Sequence, residues 1–414
     1  METDLKDHVR GADAAAVMAL LPGRPRLLAL GEPTHGEDTL LTLRNELFRQ
    51  LVEQHGYRTI VLESHCLRAL VVDDYVTGGD GDLDEVMERG FSHGWGAAPG
   101  NRELVAWLRA HNEGRPAAER VRFAGMDGPM EITHAESPRQ ALTELYAHLA
   151  AALDAVLLPC TAGTLDRLLG PDEAWAEPAA MRDPSRSIGR SPAATELRLL
   201  ADELVTLLDA HAPRLIAASS REEWERARLY GRAATGLLRY HHAMAGDGPA
   251  RFARLSSLRD TLMAGHLLAL TEQVTGQVTG QAAGRGPVLV HAHNLHLQRH
   301  AGTMRMDGHT LEWWGAGAIA AAHLGPDYAF LATALGTIRH QGVDTPPPDT
   351  VEGLLYGLPD DPLVVDGRRL AASLAAAPPA PRESPWFGYF PLEAAHLTTS
   401  DGIVFVKDMP DRQP

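Results

Sequence analysis

Cysteine and lysine are almost absent from this chain of 414 residues. With only Cys66 and Cys160, it can form neither a disulfide framework nor a cysteine-rich zinc site. Lysine occurs only at Lys6 and Lys407, near the two ends of the sequence. Because a Walker-type phosphate loop and a pyridoxal Schiff base each need an internal lysine, we expect the chain to use neither chemistry.

Basic residues are also scarce relative to acidic ones. The 38 lysines and arginines against 54 aspartates and glutamates give a formal charge of −16. A negative surface disfavours binding to nucleic acid or to an anionic membrane. No apolar run approaches the ~20 residues of a membrane span, and no signal peptide is recognisable. We therefore expect a soluble, cytoplasmic protein that acts on a small molecule, with no nucleic-acid or membrane partner and with its oligomeric state open.

Short, continuous apolar runs predict six buried parallel strands. Such runs are typical of a sheet that is covered on both faces. The six runs lie at residues 26–30, 59–62, 121–124, 288–290, 328–333 and 403–406. Helical patterns such as those at 40–54 and 103–111 lie between them. This alternation predicts an α/β fold with a mostly parallel sheet flanked by helices.

The stretch from 137 to 270 departs from this alternation. It contains four long helical patterns, at 140–158, 194–211, 222–242 and 255–270, with no convincing strand between them. We interpret it as an inserted helical cap over the C-terminal ends of the strands. The predicted organisation is an α/β core formed by 1–136 and 271–414, with the cap at 137–270 inserted between the two parts.

Titratable side chains follow four of the predicted strands, at the point where each strand ends. They are Glu32 and His35, Glu63, Asp127, and a group of three histidines, His291, His293 and His296. The carboxyl ends of parallel strands share one edge of a sheet, and ligands bind in the crevice there. The sequence therefore predicts a functional cleft at this edge.

His35 is the candidate base in this cluster. Glu32 lies three residues earlier on a tight loop, close enough to orient the imidazole. Imidazole titrates near neutral pH and can act as a general base. Arg44 would lie on the first turns of the following helix. The three histidines at 291–296 could instead bind zinc together with a carboxylate, although no HExxH-like spacing supports a metal.

Three other features are weaker. Residues 90–94 match G-x-S-x-G with Ser92 at the nucleophile position, but a helical pattern precedes them and a Gly/Pro-rich loop follows. We interpret this segment as a loop. Cys66 directly follows His65, yet adjacent side chains usually point apart, so a buried inert thiol is expected. Four tryptophans, Trp95, Trp107, Trp313 and Trp314, are candidates for the wall of an apolar pocket, although any one of them is more often part of a core.

Around these clusters the sequence resembles the erythromycin esterase family. The matching segments are GEPTHG at 31–36, FRQLVEQHGYRTIVLE at 48–63, VDDYVTGGDGDLDEVM at 72–87, ELVAWLRAHN at 103–112, VRFAGMDG at 121–128, SSLRDTLMAGHLL at 256–268, HAHNLHL at 291–297 and LGPDYAFLATALG at 324–336. The resemblance extends over nearly the whole chain, with only loose similarity in the cap. It implies an α/β core with a helical cap over the cleft.

The resemblance also implies residue roles. The family's GE-x-x-H histidine, here His35, is regarded as the base that activates water without a covalent serine intermediate. The other catalytic positions fall on Glu32, Arg44, Glu63, His293 and His296. The residues expected to contact substrate are His291, Asp127, Trp95 and Trp314. The family is generally treated as metal-independent, so we expect neither a metal nor another cofactor.

The implied function is hydrolysis of an ester or lactone bond in a bulky secondary metabolite. Macrolactones are the family's named example, which would connect the chain with macrolide antibiotic resistance or secondary metabolism. Three alternatives stay open. The first is a biosynthetic enzyme that uses the His/Glu pair for proton abstraction, giving elimination or cyclisation. The others are a metal-dependent hydrolase and a protein that sequesters a drug-like molecule without turnover.

Overall fold

The computed structural model describes residues 9–130, 134–273, 285–306 and 309–410. Ten strands are present in these residues. They are β1 (Arg10–Gly11), β2 (Leu27–Glu32), β3 (Thr59–His65), β4 (Arg122–Asp127), β5 (Val288–His293), β6 (Ala301–Met306), β7 (His309–Trp314), β8 (Tyr328–Thr337), β9 (Leu363–Asp366) and β10 (Gly402–Asp408). All six predicted strands are confirmed, and most of them extend further towards their C-terminal ends than the apolar runs do.

Eight of these strands form one mostly parallel sheet in the order β1-β9-β10-β8-β2-β5-β3-β4. Strands β10, β8, β2, β5, β3 and β4 pair in parallel, whereas β9 runs antiparallel to both β10 and β1. Strands β6 and β7 form a separate antiparallel hairpin. The α/β fold class predicted from the sequence is therefore confirmed.

Sixteen α-helices occur in the described residues. They are α1 (Ala14–Leu20), α2 (Asp38–His55), α3 (Ala69–Val76), α4 (Leu83–Arg89), α5 (Pro99–Asn112), α6 (Arg139–Ala152), α7 (Ala162–Leu169), α8 (Asp172–Trp175), α9 (Pro192–Ala210), α10 (Ala212–Ala218), α11 (Arg221–Met244), α12 (Arg251–Glu272), α13 (Asn294–Leu297), α14 (Ala316–Leu324), α15 (Val351–Tyr356) and α16 (Gly367–Leu374). Within the described ranges, none of them combines the length and the apolar composition needed to cross a bilayer.

Alternating side chains of each strand enter two cores, one on each face of the sheet. Leu28 and Leu30 of β2 pack with α1, α2, α3 and α5, whereas Leu27 and Ala29 pack with α12, α14, α15 and α16. The two-residue period continues to the strand end. Glu32 therefore lies on the α2 side of the sheet, in line with Leu28 and Leu30.

Residues 139–272, all of them described, contain α-helices and short 3-10 helices but no strand. Helices α6, α7, α9 and α11 bury their own apolar core, to which Cys66 and Leu67 of the α/β part contribute. Helix α12 behaves differently, because Met263, Ala264 and Leu267 pack into the core beneath the sheet. It thus belongs both to the helical segment and to the layer that covers the sheet. The domain limits 1–136, 137–270 and 271–414 stay a prediction.

Candidate active site

The C-terminal ends of β2, β5, β3 and β4 lie side by side and bring the predicted cluster together. In the sheet register, Glu32 is the partner of His293, and Leu62, which precedes Glu63, is the partner of His291. Asp127 ends β4 beside them. Because these strands are parallel neighbours, all of their terminal side chains face the same crevice edge.

Glu32 fixes the orientation of His35. Gly36, with φ of 82°, lets the chain turn directly after His35 into α2. Glu32 Oε1 then accepts a hydrogen bond of 2.7 Å from His35 Nδ1. Because Nδ1 carries the proton that is donated to Glu32, Nε2 of the neutral imidazole carries the lone pair. Burial lowers the pKa of His35, but Glu63 and Glu32 outweigh it, so its pKa lies above the ordinary value.

Glu63 lies at the centre of the cluster. Its Oε2 accepts a hydrogen bond of 2.8 Å from the backbone N–H of His293. Its Oε1 lies 3.4 Å from His296 Nε2, 3.4 Å from Arg259 Nη2 and 3.9 Å from His35 Nε2. Burial raises the pKa of Glu63, but the facing cations, His296 first, hold it well below the ordinary value. Glu63 is therefore an ionised carboxylate at neutral pH.

His293 begins the short helix α13 and acts as its N-cap. Its Nδ1 accepts a hydrogen bond of 3.2 Å from the backbone N–H of Leu295. In a neutral imidazole the proton is then on Nε2. Burial and the neighbouring His35 lower the pKa of His293 to about 3, so the ring is neutral. Its buried Nε2 has no hydrogen-bond partner among the described residues.

Two charged residues of α12, Arg259 and Asp260, complete the cluster, although the sequence analysis did not select them. Arg259 donates two close hydrogen bonds to Asp127, of 2.6 Å from Nη2 and 3.0 Å from Nε. Asp260 accepts a hydrogen bond of 2.8 Å from His296 Nδ1. Both occur in a helix whose neighbouring residues at helical spacing, such as Leu255 and Met263, are apolar. Charged residues on the apolar side of an amphipathic helix are the sequence signal from which Arg259 and Asp260 could have been found.

A cavity of about 360 Å³ opens above these groups. Its polar floor contains His35, Glu63, His93, Arg259, Asp260, His293 and His296. Its walls are mostly apolar and come from several separate parts of the chain. They include Trp95, Tyr240, Phe252, Leu255, Leu295, Met304, Trp313, Phe387 and Phe390. A mostly apolar pocket with a few converging polar groups is the typical form of a small-molecule site.

Comparison with known proteins agrees with this architecture. A family model described as erythromycin esterase matches residues 52–409. The chain belongs to the erythromycin esterase family. A search of curated proteins finds no significant match.

Three solved structures share the fold of this erythromycin esterase family member at low sequence identity. A protein from Bacillus cereus is 17% identical, with a TM-score of 0.71 over 98% of this chain and 96% of its own. A succinoglycan biosynthesis protein is 14% identical, with a TM-score of 0.71 and the same coverage. A mutant of the erythromycin esterase EreC in its open conformation is 18% identical, with a TM-score of 0.63 over 95% of this chain and 92% of its own. At these identities the likeness shows the fold alone.

Two of the expected catalytic residues of this family member do not line the cavity: Glu32, which binds His35, and Arg44. The side chain of Arg44 is 1% exposed and binds the amide oxygens of Asn45 and Asn101. Burial lowers the pKa of Arg44 to about 10, while the charge of Glu32 partly opposes this effect. Arg44 is thus placed behind Glu32, where its charge favours the ionised carboxylate but cannot touch a ligand in the cavity.

Of the four residues expected to contact substrate, only Trp95 lines the cavity. His291 is buried and does not line the cavity, with Nε2 3.7 Å from Glu32 Oε2, because it lies two residues before His293 and so further from the end of β5. Asp127 is covered by Arg259. Trp314 is 59% exposed and points away, since successive side chains of β7 alternate and its neighbour Trp313 faces the cavity instead. These three residues therefore lie outside the cavity lining, and their contact with substrate stays a prediction.

Ser92 and Cys66 lie outside the cavity. Ser92 belongs to a loop, and its buried Oγ accepts the backbone N–H of His65 at 3.0 Å and contacts Ser64 Oγ at 3.3 Å. Burial raises the pKa of the Cys66 thiol. In the parts of the chain that the structure describes, no three His, Cys, Asp or Glu side chains are arranged to hold a metal ion.

Proposed function

We propose that this protein hydrolyses an ester or lactone bond of a bulky, mostly apolar secondary metabolite, with His35 as the general base. Family membership supports the coarser statement, an esterase-like hydrolase. The observation that carries the finer one is the Glu32–His35 pair, whose Nε2 faces the cavity floor beside Glu63. Ser92, the serine of the G-x-S-x-G segment, does not line the cavity, so we assign it no nucleophilic role.

His35 and Glu63 would hold the attacking water. Two acceptor atoms 3.9 Å apart, His35 Nε2 and Glu63 Oε1, can share one water molecule at ordinary hydrogen-bond distances. His35 would take a proton from this water as it attacks the carbonyl carbon. Glu32 stabilises the imidazolium that forms, while the ionised Glu63 orients the water and does not donate a proton.

His293 and His296 would stabilise the oxyanion. The Nε2–H of His293 is fixed by the N-cap hydrogen bond and has no other acceptor among the described residues. His296 lies three residues further on the same turn and also lines the cavity. A donor placed in advance at a developing oxyanion contributes roughly 3–4 kcal/mol to the transition state.

The residues that line the cavity favour the binding of an apolar substrate without a net charge. Arg259, the one arginine among the lining residues, is already paired with Asp127. Aromatic side chains from the loop at 95, from α11 and α12, from β7 and from the segment near 390 surround the opening. Burial of apolar ligand surface against such walls contributes about 25 cal/mol per Å².

The test is a mass-spectrometric screen of neutral ester and lactone metabolites for the gain of one water. Wild type should convert at least one compound, and His35→Asn should lose turnover by a factor on the order of 10²–10⁴ while still binding that compound. The matched control is His323→Asn, because His323 is an exposed histidine of α14 that does not line the cavity. Turnover of His35→Asn within a few fold of wild type would contradict the assignment of the base.

A further inference from the structure

Asp260 has an unusual environment for a residue in the middle of a helix. Its side chain is buried, and three N–H groups surround it. Oδ1 accepts hydrogen bonds of 2.8 Å from His296 Nδ1 and 2.8 Å from the backbone N–H of Ala316, and Oδ2 accepts one of 2.8 Å from Trp313 Nε1. The indole N–H of Trp313 and the backbone N–H of Ala316 are donors and cannot accept a hydrogen bond from a protonated carboxyl group. Asp260 is therefore ionised and accepts a hydrogen bond from each of them.

His296 is consequently held between two carboxylates. Its Nδ1 donates to Asp260, and its Nε2 lies 3.4 Å from Glu63 Oε1. Glu63 is itself ionised, since it accepts the backbone N–H of His293 and faces Arg259. A histidine with an anionic acceptor at each ring nitrogen is stabilised as the imidazolium.

Other charged or titratable groups near His296 oppose this effect only in part. The groups that face it from the surrounding elements are Asp260 and Arg259 on α12, Glu63 on β3, His35 after β2, and His293 at the end of β5. Burial lowers the pKa of His296, but Asp260 and Glu63 outweigh it and raise the pKa to about 10. His293, three residues earlier, is neutral because burial and the neighbouring His35 lower its pKa.

We propose that Asp260 is a positioning residue, which binds Nδ1 of His296 and holds this ring as an imidazolium. The Nε2–H of His296, whose 3.4 Å separation from Glu63 Oε1 is longer than an ordinary hydrogen bond, is then the donor to the oxyanion, and His296 is not a second base. The catalytic part of this statement rests on the proposed ester hydrolysis, whereas the protonation part does not. The two histidines of the H-N-x-H segment then differ in charge. His293 supplies a neutral donor, and His296 supplies a charged one.

Asp260 also connects this donor to the wall of the cavity. Trp313, which lines the cavity, donates to the same carboxylate, and Ala316 begins α14 directly after β7. The hairpin formed by β6 and β7 therefore bonds to the residue that orients His296. A change in the hairpin would alter the donor as well as the apolar wall.

The protonation part is tested by nitrogen-15 NMR of the histidine-labelled full-length protein. The His296 signals are assigned by their loss in His296→Gln. In wild type we expect imidazolium shifts at both ring nitrogens up to about pH 9, one unit below its pKa. A neutral His296 at pH 7 would overturn the proposal, and this measurement needs no further variant.

The role of Asp260 is tested by Asp260→Asn, with Asp260→Glu as the charge-conserving variant. Removing the charge should lower the pKa of His296 by about 1–3 units, and Asp260→Glu should restore most of the shift. An unchanged titration in a folded Asp260→Asn would refute the positioning role. If this variant does not fold, Glu63→Gln removes the second carboxylate and should also lower the pKa of His296.

The catalytic part of the proposal is tested by the alkaline limb of the pH dependence of kcat. A donor that must be protonated loses activity as pH rises through its pKa, so the limb should move to lower pH in Asp260→Asn, with a larger effect on kcat than on KM. An unmoved limb, with the NMR result as expected, would contradict only the catalytic part. A failure to find any hydrolysed substrate would leave the NMR result standing.

Discussion

Replacing Glu32 with glutamine should move the acidic limb of the pH–rate profile to lower pH. Glu32 Oε1 accepts the hydrogen bond of 2.7 Å from His35 Nδ1, and glutamine can still accept it through its amide oxygen. The variant therefore removes the charge and keeps the tautomer. A hydrogen bond to a charged group contributes about 1.5–3 kcal/mol, and about 1.4 kcal/mol corresponds to one pKa unit. The pKa of His35 should fall by about 1–2 units.

The direction of this shift follows from the role of His35. A general base acts in its neutral form, so activity rises with pH through its pKa, which Glu32 and Glu63 hold above the ordinary value against the effect of burial. In Glu32→Gln the acidic limb of the kcat/KM profile should lie about 1–2 pH units lower. The maximal kcat/KM should also be reduced, because the imidazolium of His35 is less stabilised.

The assay is a kcat/KM profile with the most active compound from the screen. The matched control is Glu136→Gln, since Glu136 faces another histidine, His65, at 3.4 Å and does not line the cavity. It should leave the limb in place. A limb that stays unmoved in Glu32→Gln, or that moves to higher pH, would refute the reasoning on which the base assignment depends.

Three further predictions concern metal, serine and specificity. Prolonged chelation and desalting should leave kcat unchanged; stoichiometric zinc that is lost and restored together with activity would support a metallo-hydrolase. Ser92→Ala should keep kcat within a few fold of wild type, and its inactivity in a folded protein would reopen the serine mechanism. Phe252→Ala should raise KM about tenfold with little change in kcat, whereas Leu199→Ala, on an exposed part of α9, should change neither. Equal KM values for these two variants would show that α12 does not contact the substrate.

The position of the cleft could be predicted from the sequence because it depends on a local rule. Each buried strand is a continuous apolar run, and the first titratable residue after it lies at the strand end. Parallel pairing then brings Glu32, Glu63 and Asp127 to one edge, whatever the order of the strands. The strand order itself has no local signal, since it depends on pairing between distant segments.

Which side chains face the cavity could be predicted less well. Neither His291 nor Trp314 lines the cavity. His291 has the same orientation as His293 but lies two residues further from the end of β5, whereas Trp314 lies on the opposite face of β7 from Trp313. Arg44 required the three-dimensional position of α2 and of Asn101, which no spacing reveals.

The hairpin of β6 and β7 and the short strand β9 were not predicted. A hairpin signal existed, since the sequence has Asp307 and Gly308 between the two strands, although both residues lie outside the described part of the chain. The flanking residues also alternate, since Thr303, Arg305 and Glu312 are each followed by an apolar residue, which is the pattern of a half-buried strand. β9 spans only Leu363–Asp366, and a four-residue strand is too short for periodicity to identify it.

The central claim is that water, activated by His35, adds to the carbonyl carbon of an ester or lactone. The most direct measurement is a single turnover in oxygen-18 water with the substrate found in the screen, followed by mass spectrometry of the products. The account predicts one oxygen-18 atom in the carboxylic acid product, none in the alcohol group, and no labelled product with His35→Asn. Consumption of the substrate without incorporation of the label would contradict the account and indicate elimination or cyclisation by the same base.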